Sequence, residues 1–333
     1  MKTTSDKIVL SVIIPMYNVS SYVDECIDNL TSQSLTDFEV IFIDDSSIDD
    51  SFEKVRKAIT NVRRKDIFFK LFSQEYNMGV ACARNVGLEK ASGEYIYFYD
   101  ADDRLEPDTL LTLYSEAQRQ KSDIVGCEWF ISFAQNERHI KQRDVQRGVD
   151  LFRGFASGII RWNLWLFMVR RSLYEQNGIR FLPGMNMGED MMVMMKLALI
   201  SNRVSIVHKP LYHYSQTNTG AQTKNWSKEK RDQVTANVKE VEAFCRRNYG
   251  DSFDLELDFL KQSIKLPFII SDRRDDYKIW ANWFPESDKS ILRNKSLPFR
   301  TRGLQLAAAN RQYWILWLYY NVVNKFIYGV IYK

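Results

Sequence analysis

The chain has 333 residues, 45% hydrophobic and 26% charged, a composition that excludes a disordered chain, a collagen-like repeat and a small disulfide scaffold. Lys and Arg total 46 against 42 Asp and Glu, and a net charge of +4 is too balanced for bulk binding of nucleic acid. Cys26, Cys82, Cys127 and Cys245 form no CxxC pair and read as reduced core residues of a cytoplasmic protein.

The apolar, β-branched run 8–14 predicts a buried strand. Asp6 before it and Pro15-Met16-Tyr17-Asn18 after it do not make a signal peptide. Ser20 or Ser21 can cap a helix with Val23, Ile27 and Leu30 on its inner face. A second strand is expected at 38–43, and a helix at 49–60 facing inward through Phe52, Val55 and Ile59. A third strand at 68–72, a helix at 80–91 and a fourth strand at 94–99 follow. Pro107 then opens a helix striped by Leu110, Leu111, Tyr114 and Ala117. This alternation implies an α/β fold: a Rossmann-like, mainly parallel sheet with helices on both faces, joined by right-handed crossovers. Ligands of such sheets bind beyond the carboxyl ends of the strands.

Three strands deliver polar or acidic residues to that edge: Pro15 to Asn18, then Asp44-Asp45, then Asp100-Ala101-Asp102-Asp103. Neither GxGxxG nor GxxxxGK[ST] follows the first strand, which argues against an NAD site or a P-loop. Asp100 and Asp102, two apart, point the same way if the chain is extended there. Paired carboxylates repel unless a hard cation neutralises them, and oxygen ligands suit Mg²⁺ or Mn²⁺ bridging to a diphosphate. Taken alone, the acidic loop reads equally well as a solvated loop or a helix cap. Asp44-Asp45 likewise reads as a turn and cap, or as an acceptor for a ribose or base. In 76–87, Gly79, Ala81, Ala83 and Gly87 make a helix of small residues for close approach. Arg84 on it suits a carboxylate or phosphate.

The strings SVIIPMYN, FEVIFIDDSSIDD, NMGVACARNVGLEKASGEYIYFYDADDRLEPD and NGIRFLPGMNMGED, in that order, resemble the family 2 inverting glycosyltransferases of GT-A fold. The likeness covers roughly residues 8–215. It implies a nucleotide-sugar donor, most simply UDP-linked, held by Pro15, Tyr17, Asn18, Asp45, Asn77, Arg84, Asp100, Ala101 and Asp102. It implies Mn²⁺ or Mg²⁺ on Asp102, with Asp103 as a competitor and His213 as a third ligand. Asp190, beside Glu189, matches the general base, and a helix over 191–200 would keep it ionised at its N-terminus. Ser215 and Gln216 stand where the family often has an Arg, with Lys224 as a substitute. The implied acceptor is a lipid-linked saccharide or cell-envelope glycan. Transfer to a polyprenyl phosphate, or a non-catalytic nucleotide-sugar-binding partner subunit, are the alternatives.

The expected domains are a GT-A catalytic domain, 1–215, and a C-terminal helical region, 216–333. Ser227 can cap a helix that Gly250 ends. Lys289, Arg293, Lys295, Arg300 and Arg302 then precede an aromatic segment running from Tyr313 to Lys333. Trp and Tyr beside basic residues suit a helix lying in a membrane interface. Hence a peripheral protein at the inner face of the cell membrane is expected. Packing on the catalytic domain, or on a second copy in a homo-oligomer, is the other reading.

Overall fold

The structure, a computed structural model, describes residues 8–216, 226–323 and 325. It divides into two compact units, residues 1–151 with 162–241, and residues 152–161 with 242–333. The division therefore falls at 241/242, where the sequence reading placed a boundary at 215/216.

The first unit follows the alternation expected of it: β1 (Leu10–Met16), α1 (Val23–Thr31), β2 (Phe38–Asp44), α2 (Ser51–Asn61), β3 (Ile67–Ser73), α3 (Val80–Lys90) and β4 (Tyr95–Phe98). Then come β5 (Arg104–Leu105), α4 (Thr109–Gln120), β6 (Ile124–Ser132), β7 (Glu137–Ile140), α5 (Gly148–Ser157), β8 (Phe167–Arg170), α6 (Arg171–Gln176), α7 (Glu189–Ile200), β9 (Val204–Ser215) and α8 (Lys228–Tyr249), of which α5 from residue 152 and α8 from residue 242 belong to the second unit. One sheet runs β3-β2-β1-β4-β8-β6-β9-β5, with β7 beside β6. The first four strands are parallel, and β8 enters antiparallel to both β4 and β6. β1, β2 and β4 are almost wholly buried, as expected of parallel strands covered on both faces.

Local details differ from the sequence reading. Neither Ser20 nor Ser21 caps α1, which starts after Tyr22 without a side-chain cap. Ser20 is held by Asp49 and Lys54 instead. On α2 only Ser51 and Val55 are buried, and Phe52 and Ile59 are half-buried. On α4, Leu113 faces inward and Leu111 is exposed, a one-position turn of the stripe. Ser227 does cap α8, accepting a hydrogen bond from the Lys230 amide, and Gly250 ends it in a left-handed conformation. All four cysteines are buried, and none of them is in a disulfide.

The second unit is helical, with α9 (Asp254–Ile264), α10 (Arg274–Asn282), α11 (Phe299–Ala309) and α12 (Tyr313–Tyr319). Its core includes Leu260, Ile269, Tyr277, Trp280, Leu304, Ala308 and Leu316. Lys265 is fully buried there against the Trp280 ring and pairs with Asp288 at 2.8 Å. Among the described residues no helix is long and apolar enough to cross a membrane.

Candidate active site

The loops after β1 and β2 are laced together. The Asn18 amide donates to Ser47 Oγ, and Asn18 Oδ1 accepts from the Ile48 amide. Asn18 has positive φ, which asparagine tolerates in a turn. Tyr17 is about half-exposed at this mouth, and Pro15 is half-buried beside it. Asp45 is buried and turned toward the loop before α3, where it accepts from the amides of Met78 and Gly79, both at 2.8 Å, and from Gln74. Burial raises its pKa against those hydrogen bonds. Its expected place beside a base or ribose thus becomes, first, that of a clamp on this loop, which leaves Asn77 exposed.

Helix α3 carries the link to the other half of the site. Arg84 is buried and its Nη1 donates to Glu189 Oε1 at 2.7 Å and Asp190 Oδ1 at 2.8 Å, while Nη2 lies 3.7 Å from Asp100 Oδ1. Its guanidinium also lies over the rings of Phe98 and Phe181. Burial alone would lower its pKa, but the charges of Asp190, Glu189 and Asp100 outweigh that and raise it. One cation therefore gathers three carboxylates from one strand end and one helix.

The segment leading to Asp190 is docked onto the same helix. Asn85 pairs with the Phe181 backbone in both directions, each bond 2.9 Å. Asn186 Oδ1 accepts from the Ala81 amide at 3.1 Å, satisfying one of the free donors at the start of α3. Gly79, at φ +86°, is required beside it, because a Cβ there would collide with the Asn186 side chain. From the far side, Asn237 of α8 donates to the carbonyls of Met185 and Met187. Neither Asn186 nor Asn237 stood out in the sequence, since their partners lie 105 and about 50 residues away. Replacing Asn186 with alanine is expected to cost about 1 kcal/mol, as loss of a helix cap does. Urea denaturation checks this, and an unchanged midpoint would mean that the 185–190 segment is held without it.

Asp190 sits in the first turn of α7, half-buried, its second oxygen 3.4 Å from the Leu164 amide. Glu189 beside it is buried, and burial, with the charge of Asp190, pushes its pKa up to about 7 against the pull of Arg84. Asp100 is likewise pushed up to about 7 by burial, which Arg84 opposes and Asp102 and Asp190 reinforce.

The acidic loop after β4 is a turn, closed by the Asp103 amide on the Asp100 carbonyl at 3.1 Å. The extended geometry assumed for Asp100 and Asp102 does not apply. Asp103 faces inward, one oxygen on the Ser215 amide at 2.7 Å and the other on the Tyr212 hydroxyl at 2.6 Å. Ala101 is buried and Asp102 half-buried at the mouth. An aromatic layer lies beneath the loop. The Tyr99 hydroxyl donates to the Asp103 carbonyl, and Tyr212 stacks on Trp165 with ring centres 4.3 Å apart. The alternation Tyr95, Tyr97, Tyr99 was the signal for that layer.

His213 follows Tyr212 and is engaged elsewhere. Its Nε2 is 2.6 Å from Glu106 and its Nδ1 is 2.7 Å from Glu137 and 3.0 Å from Arg104, with Phe130 stacked on the ring. Both ring nitrogens are spent on these partners, as both oxygens of Asp103 are spent on its own. The expected trio of Asp102, Asp103 and His213 is not brought together. Among the described residues no three His, Cys, Asp or Glu side chains converge as a metal site. Ser215 contributes its amide to Asp103, and Lys224 lies outside the described residues.

Residues 11–197, more than half of the chain, match the sequence profile of Glycosyl transferase family 2. The chain belongs to that family. A relative by sequence is the cholesterol galactosyltransferase of Borreliella burgdorferi, 31% identical over 228 residues. That match covers 64% of this chain and 61% of the relative, so the chain aligns with about three fifths of its length. Among solved structures, Staphylococcus aureus TarS 1–349 in complex with UDP-GlcNAc aligns with a TM-score of 0.69 at 20% identity, over 94% of this chain and 91% of that one. A mannosyltransferase of Pyrobaculum calidifontis, in complex with GDP-Man and Mn²⁺, aligns with a TM-score of 0.53 at 18% identity, over 93% and 88%. These establish for the family 2 chain the fold expected from its sequence, a GT-A sheet with a helical C-terminal extension.

Proposed function

We propose that this chain is an inverting transferase that moves a sugar from a nucleoside-diphosphate sugar, a UDP-sugar first among them, to an acceptor hydroxyl. The observation that carries the reading is the Arg84 hub, which gathers Asp190 at the start of α7 and Asp100 at the end of β4 around one cation. In this reading Asp190 accepts the proton of the attacking hydroxyl. Arg84 on one oxygen and the Leu164 amide on the other hold it in place. It stands in the N-terminal turn of α7, where the helix dipole favours a carboxylate. Glu189 shares Arg84 and so steadies the same carboxylate.

In this reading a divalent ion would be held by few carboxylates together with the donor's phosphates, since among the described residues no three His, Cys, Asp or Glu side chains converge as a metal site. Five acids, Asp100, Asp102, Asp103, Glu189 and Asp190, share this region with Arg84, and burial and mutual repulsion already push Asp100 up to about 7. Mg²⁺ and Mn²⁺ are commonly bound by one or two carboxylates together with substrate phosphates. Asp102, with Asp100 beside it, would hold the ion, in place of the expected share for Asp103 and His213. Once bound, the ion would neutralise charge on the departing diphosphate. Tyr17, Pro15 and Asn18, at the mouth between β1 and β2, would take the nucleotide.

The acceptor in this reading is a hydroxyl of a lipid-linked saccharide or cell-envelope glycan, reached by a protein peripheral to the inner membrane face. A relative that acts on cholesterol supports a lipid acceptor.

Calorimetry with UDP-, GDP- and dTDP-sugars, each with Mn²⁺ and with EDTA, tests the donor reading. One donor is expected to bind, and EDTA to weaken it by at least about tenfold, as loss of a metal bridge to a diphosphate requires. Binding of no donor by folded protein would turn the reading to a non-catalytic partner or to a site completed only by membrane or acceptor.

A further inference from the structure

The second unit ends in a pair of helices whose outer face is left apolar. Leu304, Ala307 and Ala308 of α11 and Leu316 of α12 are buried within this unit, so both helices are anchored. On the side turned out, Phe299 is 78% exposed, Trp314 66%, Leu318 48% and Trp317 42%. Trp314, Trp317 and Leu318 stand at i, i+3 and i+4, one face of one helix. Val322 beyond them and Leu292 before α11 are also about half-exposed. A soluble surface rarely gathers so many large apolar side chains unless something covers them.

Charge says what covers them. From residue 289 to the end the sequence has eight Lys and Arg and no Asp or Glu, so the 288 residues before it carry a net −4. Along the sequence, the whole positive excess of the chain falls in the segment that carries the aromatic face. Cations sit at its rings: Arg302 lies over Phe299, Arg274 over Trp317 and Arg300 over Tyr319, each between 5.6 and 5.8 Å from the ring centre. Arg293 and Lys295 are exposed beside them. A second copy packed face to face would set this charge against itself, because a two-fold interface pairs a patch with its own image.

We propose that the α11–α12 face docks on an anionic lipid surface, with Trp314, Trp317 and Phe299 in the headgroup region and Arg293, Lys295 and Arg300 on the lipid charges. Trp and Tyr prefer that region, and basic side chains near an anionic bilayer add to the attraction. The helices lie on the surface and do not span it, since none of the described ones is long and apolar enough to do so. The proposal is independent of the transfer reaction.

The test uses the full chain and sedimentation with phosphatidylcholine vesicles, with and without phosphatidylglycerol. The protein is expected to pellet with the anionic vesicles, to pass the neutral ones, and to be released by high salt. The triple variant Arg293→Glu, Lys295→Glu, Arg300→Glu is expected to weaken binding at least about tenfold, in line with the contribution of single basic residues near such surfaces. Trp314→Ser is expected to weaken it too and to reduce the blue shift of tryptophan emission on binding. These side chains are exposed, so circular dichroism should be unchanged. Failure to pellet with anionic vesicles, or pelleting that the charge reversals do not weaken, would overturn the proposal. Self-association by light scattering that Trp314→Ser abolishes, without vesicle binding, would instead assign the face to a second copy.

Discussion

Asp190→Asn is expected to lower the rate of sugar transfer by about 10²–10⁴-fold, the usual contribution of a positioned general base, while donor affinity changes little. The substitution keeps the shape of the side chain. The asparagine Oδ1 still accepts from Arg84, so the hub survives with a neutral group in place of a charged one. What is lost is the capacity to take a proton from the acceptor hydroxyl. Single-turnover kinetics read that loss directly, and calorimetry with the donor shows whether the pocket is intact. Turnover within a few-fold of the parent would remove Asp190 as the base and leave Glu189 as the next candidate. Glu189 is buried, with its pKa pushed up toward 7, which suits it less to meeting an incoming hydroxyl. A parallel loss of donor affinity would mean that the charge of Asp190 mainly orders the donor side through Arg84.

The parts of this protein that were legible in its sequence are those where one physical rule acts over a short span. Buried parallel strands must be apolar and rich in β-branched or aromatic residues, and the runs before Pro15, Asp44 and Asp100 are. Polar residues at the ends of those strands must share an edge, and they do. The parts that were not legible depend on partners far along the chain. Asp102 and Asp103 are adjacent, and nothing local says that Tyr212 and the Ser215 amide will turn the second inward. Likewise His213 has the right chemistry for a metal, yet Glu106 and Glu137 take both ring nitrogens. Asn186 carries no local signal of its role, because the helix it caps starts over a hundred residues earlier. The inner stripe of α4 was misjudged for a smaller reason: Leu110, Leu111 and Leu113 are all apolar, and only packing decides which of them face in.

Arg84→Met is expected to cost about 3–5 kcal/mol of stability, the usual result of removing one partner from a buried ionic cluster and stranding the rest. Here the stranded groups are Asp100, Glu189 and Asp190, drawn from β4 and α7, and the aromatic walls of Phe98 and Phe181 do nothing to solvate them. The loss should depend on pH with a definite sign. Glu189 already has its folded pKa raised from 4.5 to about 7, chiefly by burial, with Arg84 the opposing influence. An acid whose folded pKa lies above its unfolded value holds an extra proton in the folded state, so it favours folding at low pH and loses that contribution as pH rises through 7. Without Arg84 the folded pKa rises further, and the penalty at pH 8 grows. The difference in melting temperature between parent and variant is therefore expected to be small near pH 5 and to widen steadily toward pH 8. Arg84→Lys should recover part of the stability, since it restores the charge, but little of the transfer rate. An ammonium is a point charge, and it cannot reproduce the planar fork that meets Glu189, Asp190 and Asp100 together. A melting difference that stays the same from pH 5 to pH 8 would mean that Arg84 acts through its packing against the two rings. In that case the carboxylates must be held in place by something other than its charge.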